Sequence, residues 1–186
     1  MPELERVREN AERITLVHAA SEHAQLLYDI FTGTNTQKYS PVGETTVNDV
    51  ARCLGRSGKS FAEKAPFYRV FGKADNVLFG TCILKTIDWD AGEAEIGFSL
   101  LQEWQGKGLG TALVYKYVTR VFEGPEIGLL WGTVSETNQT CKRLMRRLGF
   151  VDCGFYIDAF PIQGRLVRQV LFVLSRERAA ALRAEE

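Results

Sequence analysis

Histidine is scarce in this chain: His18 and His23 are the two copies, five residues apart, with no acidic or cysteine partner at ligand spacing. No metal site is expected from such a set. The four cysteines, Cys53, Cys82, Cys141 and Cys153, contain no CxxC pair, and two of them sit inside apolar runs. That spacing argues against a disulfide framework and fits reduced thiols in a cytoplasmic protein. No apolar run approaches the roughly 20 residues of a membrane span, so no membrane partner is expected. Charge of one sign is not in excess either, with 23 basic and 23 acidic side chains. Without a basic footprint, no DNA partner is expected. The opening MPELERVREN is charged, lacks an apolar centre and is not expected to act as a signal peptide. Internal repeats and low-complexity segments are also missing.

What is present reads as one α/β (mixed α+β) domain. The 186 residues are 45% apolar and 25% charged, a balance that one core can accommodate without a metal or disulfide. Residues 1–12 predict a helical lead, 13–18 a strand, and 21–32 a helix with Ala24, Leu27, Ile30 and Phe31 on one face. TGTNTQKYSPVG, 32–43, has loop composition. Residues 47–64 predict a helix, broken near Gly55–Gly58. Strands are expected at 66–73 and 77–87 around the turn Ala74-Asp75-Asn76, and at 93–101. A helix follows at 108–123, a strand at 128–134, and a helix at 137–148 stopped by Gly149. Two last strands, 150–160 and 166–174, flank Pro161-Ile162-Gln163-Gly164 before a charged, Ala-rich helical tail.

The stretch Gln105-Gly106-Lys107-Gly108-Leu109-Gly110-Thr111 sits between a strand and a helix. A helix start leaves about four N–H groups without partners and carries the positive end of the helix dipole. Glycines there let a phosphate approach the backbone without meeting a Cβ. A tight turn needing positive φ accounts for the same glycines. The dinucleotide fingerprint GxGxxG fails because Thr111 stands where Gly or Ala is needed. A P-loop at GRSGKS, 55–60, fails because Cys53 takes the place of its first glycine and the preceding residues are helical in pattern.

EAEIGFSLLQEWQGKGLG, 93–110, resembles the acetyl-CoA signature of the GNAT acetyltransferases, [QR]xxGx[GA] after an apolar strand, with Gln105, Gly108 and Gly110 at its fixed positions. TVSETNQTCKRLMRRLGF, 133–150, is similar to that family's strand, Asn, helix and Gly-Phe stop, through Asn138 and Gly149-Phe150. GRLVRQVLFVLSRE resembles the last strand of the RimJ/RimL-like subgroup, and ERITL and the YSP at 39–41 fit it more loosely. The likeness covers 12–176, leaving 1–11 and 177–186 as terminal extensions of one domain, 1–186. It implies a twisted mixed sheet of about seven strands, splayed between the fourth and fifth, with helices on both faces.

The resemblance further implies acetyl-CoA as co-substrate and direct attack of an amine on its thioester. Phe98, Ser99 and Leu100 would pair with the pantetheine amides, and Gln105, Gly106, Lys107, Gly108, Leu109, Gly110 and Thr111 would hold the diphosphate. Asn138 would bond pantetheine or cap its helix. Strand amides near Leu100 would stabilise developing oxyanion charge. Glu95 is the candidate base, with Glu93 as fallback. Many members carry tyrosine, as acid, where Met145 stands, and methionine cannot donate a proton. Cys141, where relatives often have serine, offers a weak S–H donor or simply packs. Lys142, Arg143, Arg146 and Arg147 form a basic helix face.

A protein α-amine, with pKa about 7.7–8.0, is roughly a tenth neutral at pH 7, whereas lysine at about 10.4 is well under a thousandth neutral. The acceptor expected from the subgroup is a protein N-terminal α-amine. The alternatives are a small-molecule amine (polyamine, aminoglycoside or amino-acid conjugate) or a non-catalytic acyl-CoA-binding module. Asn35, Lys38, Tyr39, Glu44 and Asp49, with Phe155, Tyr156, Asp158 and Phe160, are expected to wall the acceptor side. The relatives suggest a monomer or homodimer.

Overall fold

The computed structural model describes residues 2–39, 43–61, 69–162 and 165–184. Its elements run α1 (Pro2–Glu12), β1 (Thr15–His18), a 3-10 turn (Ser21–His23), α2 (Ala24–Thr32), α3 (Thr34–Tyr39), α4 (Val47–Phe61), β2 (Arg69–Ala74), β3 (Val77–Asp88) and β4 (Glu93–Leu100). A second 3-10 turn (Gln102–Trp104) leads to α5 (Leu109–Glu123), β5 (Leu129–Ser135), α6 (Gln139–Arg147), β6 (Val151–Ile162), β7 (Arg165–Ser175) and α7 (Arg176–Ala184). Ser40 and Pro41 of the YSP segment, the strand start at 66–68, the helix end at 62–64 and the turn residues Gln163-Gly164 lie outside the described residues. Among the described residues, no helix is long and apolar enough to cross a membrane.

The strands form one sheet in the order β1-β2-β3-β4-β5-β7-β6. All neighbours are antiparallel except β4 and β5. Asp75 and Asn76, with φ of 48 and 65, make the two-residue β2–β3 turn. Both residues sit in the left-handed region that a type I′ hairpin turn requires and that Asp and Asn tolerate.

Adjacent residues of one strand feed two separate cores. Val70 joins the cluster built on α1 and α5, whereas Phe71 joins Ala24, Leu27, Ile30, Val50 and Leu54 from α2 and α4. This is the period-two alternation of a strand covered on both sides. On the first face α5 lies close to the sheet. A Cβ added at Gly72 would stand 2.7 Å from Leu113 Cδ1, and one at Gly80 3.1 Å from Leu113 Cδ2. The two glycines make the seat for Leu113. The terminal helices dock on this layer. Lys116 Nζ donates to the α1 carbonyl of Ala11 at 2.9 Å, and Arg176 donates to the carbonyls of Phe122, Gly124 and Ile127.

Two segments differ from their sequence patterns. Residues 32–43 have loop composition, yet Thr34–Tyr39 form α3. Gln37 stabilises it from both ends of the residue: its N–H donates to Gly33 O at 3.0 Å and its Nε2 to Phe31 O at 2.7 Å. α4 runs without a break through Gly55 and Gly58 to Phe61. Val50 and Leu54, buried against Phe71, hold it there, so tertiary packing overrides the weak helix propensity of glycine.

The sheet opens in its middle. β4 and β5 pair only at Glu93–Leu129, Ala94–Leu130 and Glu95–Trp131. Beyond that point β4 stays with β3 as far as Gly80–Leu100, and β5 stays with β7 as far as Ser135–Gln169. Each strand keeps its outer neighbour while their inner edges part.

Candidate active site

The opening exposes a short run of strand main chain. Leu101 N donates to Phe79 O at 2.9 Å, on the β3 side. Main-chain direction alternates along a strand, so the peptide groups of Phe98 and Leu100 face the side that β5 has left. Ser99 is directed to β3 and pairs with Thr81. The Leu100 carbonyl accepts from Gln105 Nε2 at 3.1 Å, and Gln105 Oε1 in turn accepts from Asn35 Nδ2 on α3. Gln105 therefore ties the end of β4 to the helices of the opposite layer.

The glycine loop adds a second set of donors. Gly106 and Gly108 take φ of +75 and +79, left-handed conformations that a side chain disfavours. Gly108 caps α5 without a side-chain hydrogen bond. The first helical bond is Ala112 N to Gly108 O, at 3.3 Å. Among the described residues no protein acceptor takes the N–H groups of Leu109, Gly110 or Thr111. A Cβ on Gly110 would lie 3.4 Å from Leu100 Cδ1 and 3.7 Å from Leu144 Cδ1. The start of α5 thus lodges between β4 and α6, at the edge of the opening. Orphan amides, bare glycines and the positive end of a helix dipole suit a diphosphate, so the residues present fit coenzyme A. Lys107 lies over the Trp104 ring, 5.2 Å from its centroid, and that ring packs on Phe79 at 5.5 Å.

α6 closes the other wall. Asn138 Oδ1 accepts from Cys141 N at 3.1 Å, an N-cap, while its Nδ2 has no partner among the described residues. Cys141 is largely buried, and burial pushes its thiol up to about 12. It stays protonated near neutrality, able to donate weakly but not to act as a thiolate nucleophile. Met145 is buried beneath β5, its Cε 3.3 Å from where a Gly132 Cβ would be. Of the basic residues on α6, Arg146 is taken by Asp152 at 2.8 Å and stacks on Phe172, Lys142 is buried, and Arg143 reaches Thr140.

Glu95 occupies the last paired position of β4, opposite Trp131. Its Oε1 accepts from Lys85 Nζ at 2.6 Å and its Oε2 from Thr86 Oγ1 at 3.2 Å. Glu93 lies two residues deeper, beside Leu129 and Asp88, where the strands are still joined. Lys85 and Thr86 escape a reading of the sequence because hairpin register brings them to Glu95, and that register shifts between Lys85 and Asp88.

On the acceptor side, Asp49 serves α4. It accepts from Thr46 N at 3.0 Å while its own N–H donates to Thr46 Oγ1 at 3.2 Å, a reciprocal capping box. The Thr46 hydroxyl, then Arg52, hold its carboxyl below the usual range. The T-x-x-D spacing carried that signal in the sequence. Asn35 bonds Gln105, Lys38 lies over Tyr39, and Glu44 is exposed. Phe155 is exposed beneath the Arg168 guanidinium. Tyr156, Asp158 and Phe160 belong to β6, and their side chains lie outside the described residues.

This geometry has relatives. A family model described as an acetyltransferase (GNAT) domain matches residues 13–151. A Bacillus licheniformis protein named uncharacterized N-acetyltransferase p20 is 28% identical over 171 residues, covering 90% of this chain and 96% of that protein. Among solved structures, the ribosomal-protein-S5-alanine acetyltransferase of Vibrio fischeri superposes with a TM-score of 0.77 at 17% identity, covering 88% of this chain and 92% of that one. Mutant forms of the spermidine/spermine N-acetyltransferase SpeG of Vibrio cholerae superpose with a TM-score of 0.77 at 18% identity, covering 94% and 99%. The chain belongs to the GNAT acetyltransferase family and is an N-acetyltransferase that uses acetyl-CoA.

Proposed function

We propose that the protein transfers the acetyl group to a protein N-terminal α-amine by direct attack, with Glu95 as base. The observation that carries this reading is the juxtaposition at the opening: unpaired strand amides, an orphaned helix start beside them, and a carboxylate where the strands part. Main-chain groups of Phe98 and Leu100 would pair with pantetheine as an added strand does. The amides around Gly106–Thr111 would take the diphosphate, and Asn138 Nδ2 a pantetheine carbonyl. Bound acetyl-CoA supplies an acetyl group activated as a thioester.

Only a neutral amine attacks, so the base matters most for an acceptor that arrives protonated. Glu95 accepts that proton directly or through one water. The Leu100 N–H stabilises negative charge developing on the thioester oxygen, and the protonated Cys141 thiol donates toward the departing sulfur. Met145 takes no chemical part.

An α-amine suits this site better than a polyamine. A polyamine carries several cations and calls for several uncommitted carboxylates spaced along its length. Asp49 is committed to its cap, and Asp29 accepts from Gln25 at 2.8 Å. The free thiols of Cys82 and Cys141 suit the reducing cytoplasm, where we place the enzyme.

The test is thiol release from acetyl-CoA with a panel of peptides bearing free N-termini and a panel of small amines, followed by mass spectrometry of the products. Acetylated peptide termini are expected. Turnover confined to small amines overturns the acceptor assignment, and CoA binding without any thiol release overturns the catalytic one. Glu95→Gln is expected to lower kcat by about 10²–10⁴ with CoA affinity unchanged.

A further inference from the structure

Glu95 is held from two sides by consecutive residues of β3. Lys85 Nζ stands 2.6 Å from Oε1, and Thr86 Oγ1 stands 3.2 Å from Oε2. Thr86 has φ of 46. For a β-branched residue this is a strained, left-handed conformation that persists only where its surroundings fix it. The register shift that follows, between Lys85 and Asp88, belongs to the same distortion. Thr86 therefore sets one oxygen of the carboxylate through a rigid link.

Lys85 supplies a different kind of link. Its stem lies over Gly97, two residues past the last β4–β5 pair. A Cβ on Gly97 would stand 3.0 Å from Lys85 Cε and 3.7 Å from its Cδ. The side chain is 46% exposed, while that of Glu95 is 15% exposed. The carboxylate is fixed and mostly covered. The ammonium reaches it on a flexible, half-solvated tether that crosses the first unpaired stretch of β4. A cation on such a tether can return to water when another cation takes its place beside the covered carboxylate, because its own end of the pair is already half solvated. The position it vacates, against Oε1 at the mouth of the opening, is where the acceptor's amine must present its proton.

We propose that Lys85 is a built-in stand-in for the acceptor's ammonium. It holds the Glu95 carboxylate oriented while the acceptor is away, and yields its place when a protonated amine arrives. One ammonium replaces another, so the charge on Glu95 stays balanced through the exchange. Lys85 is thus a positioning residue that also sets specificity, favouring acceptors that bring a cation of their own. This inference rests on Glu95 being the base.

The experiment compares wild type, Lys85→Met, Lys85→Arg and Glu95→Gln. Each is assayed with saturating acetyl-CoA and the fastest acceptor of the peptide and small-amine panels, after thermal melts confirm the fold. Lys85→Met removes the competitor and keeps the stem over Gly97. It is expected to lower KM for the acceptor by up to about fivefold, the scale of an ion pair solvated at one end. Lys85→Arg keeps a cation and is expected to restore the wild-type KM. An unchanged or raised KM in Lys85→Met, or an Arg variant that behaves like Met, overturns the inference while a collapse of kcat in Glu95→Gln leaves the base intact. If Glu95→Gln turns over normally, the base assignment falls and the inference falls with it.

Discussion

Two stretches of this chain set a lysine within a cluster of glycines, and they have opposite fates. GRSGKS, 55–60, lies within α4, whereas QGKGLG, 105–110, breaks the backbone between β4 and α5. Glycine content does not separate them; the flanks do. The first is preceded by residues whose apolar members, Val50 and Leu54, bury one helix face against Phe71. The second is preceded by a strand that ends at Leu100 and a 3-10 turn, Gln102–Trp104, so the chain must reverse before a new helix begins. In α4 a glycine only weakens a helix that packing enforces. Before α5, two glycines adopt φ of +75 and +79 and leave amides unclaimed.

The sharpest way to break this comparison is Gly108→Val. A Cβ at Gly108 meets nothing closer than Asn10 Nδ2 at 3.7 Å, so crowding is not the obstacle. The obstacle is the backbone: a β-branched residue at this φ costs about 1–3 kcal/mol, which at about 2–4 °C per kcal/mol lowers Tm by several degrees. The altered loop turns its amides away from one another, and CoA affinity measured by calorimetry is expected to fall at least about tenfold. Full affinity in this variant would mean that the loop is a turn and no cradle.

Gly106→Ala is a milder form of the same break. The position is exposed, with nothing within 4 Å of an added Cβ, and has φ of +75. The left-handed penalty is about 1–2 kcal/mol. A loss of CoA affinity of about three- to tenfold is expected in the same titration, smaller than for Gly108 because alanine is not β-branched and Gly106 does not cap the helix. An effect on melting alone would confine this glycine to shaping the turn.

The two stretches also explain how much was legible beforehand. The loop at 105–110, the order of strands and the Gly149 stop are local signals, written within a few residues of where they act. The opening between β4 and β5 was expected from resemblance, since no residue in 93–101 or 128–134 announces that pairing ends at Glu95–Trp131. α3 was missed because TNTQKY has the composition of a loop and owes its helix to Gln37 contacts. Lys85 was missed because its approach to Glu95 depends on hairpin register, which a local pattern does not carry. Ser99, grouped with Phe98 and Leu100 by the family resemblance, parts from them once alternation is applied to an observed β3 neighbour. In sequence Met145 only departs from the tyrosine of related enzymes; its place under Gly132 gives it a packing role that only the fold reveals.

Gly55→Ala carries the comparison to its smallest effect and reverses its sign. Gly55 is exposed in the interior of α4, its φ lies outside the left-handed range, and nothing stands within 4 Å of an added Cβ. Alanine there costs no contact and no strain, while it removes backbone freedom from the unfolded chain. The helix scale puts the gain at about 0.8–1.0 kcal/mol, a rise in Tm of about 2–4 °C by the same conversion as above. CoA affinity is expected to stay as it is, because α4 packs on the face of the sheet opposite α5. A glycine of a lysine-bearing cluster would then stabilise the protein when replaced at 55 and weaken the site when replaced at 108. Were Gly55→Ala to destabilise, α4 would need the flexibility that its continuous hydrogen bonding denies it, and the 55–60 segment would have to be reconsidered as a working loop.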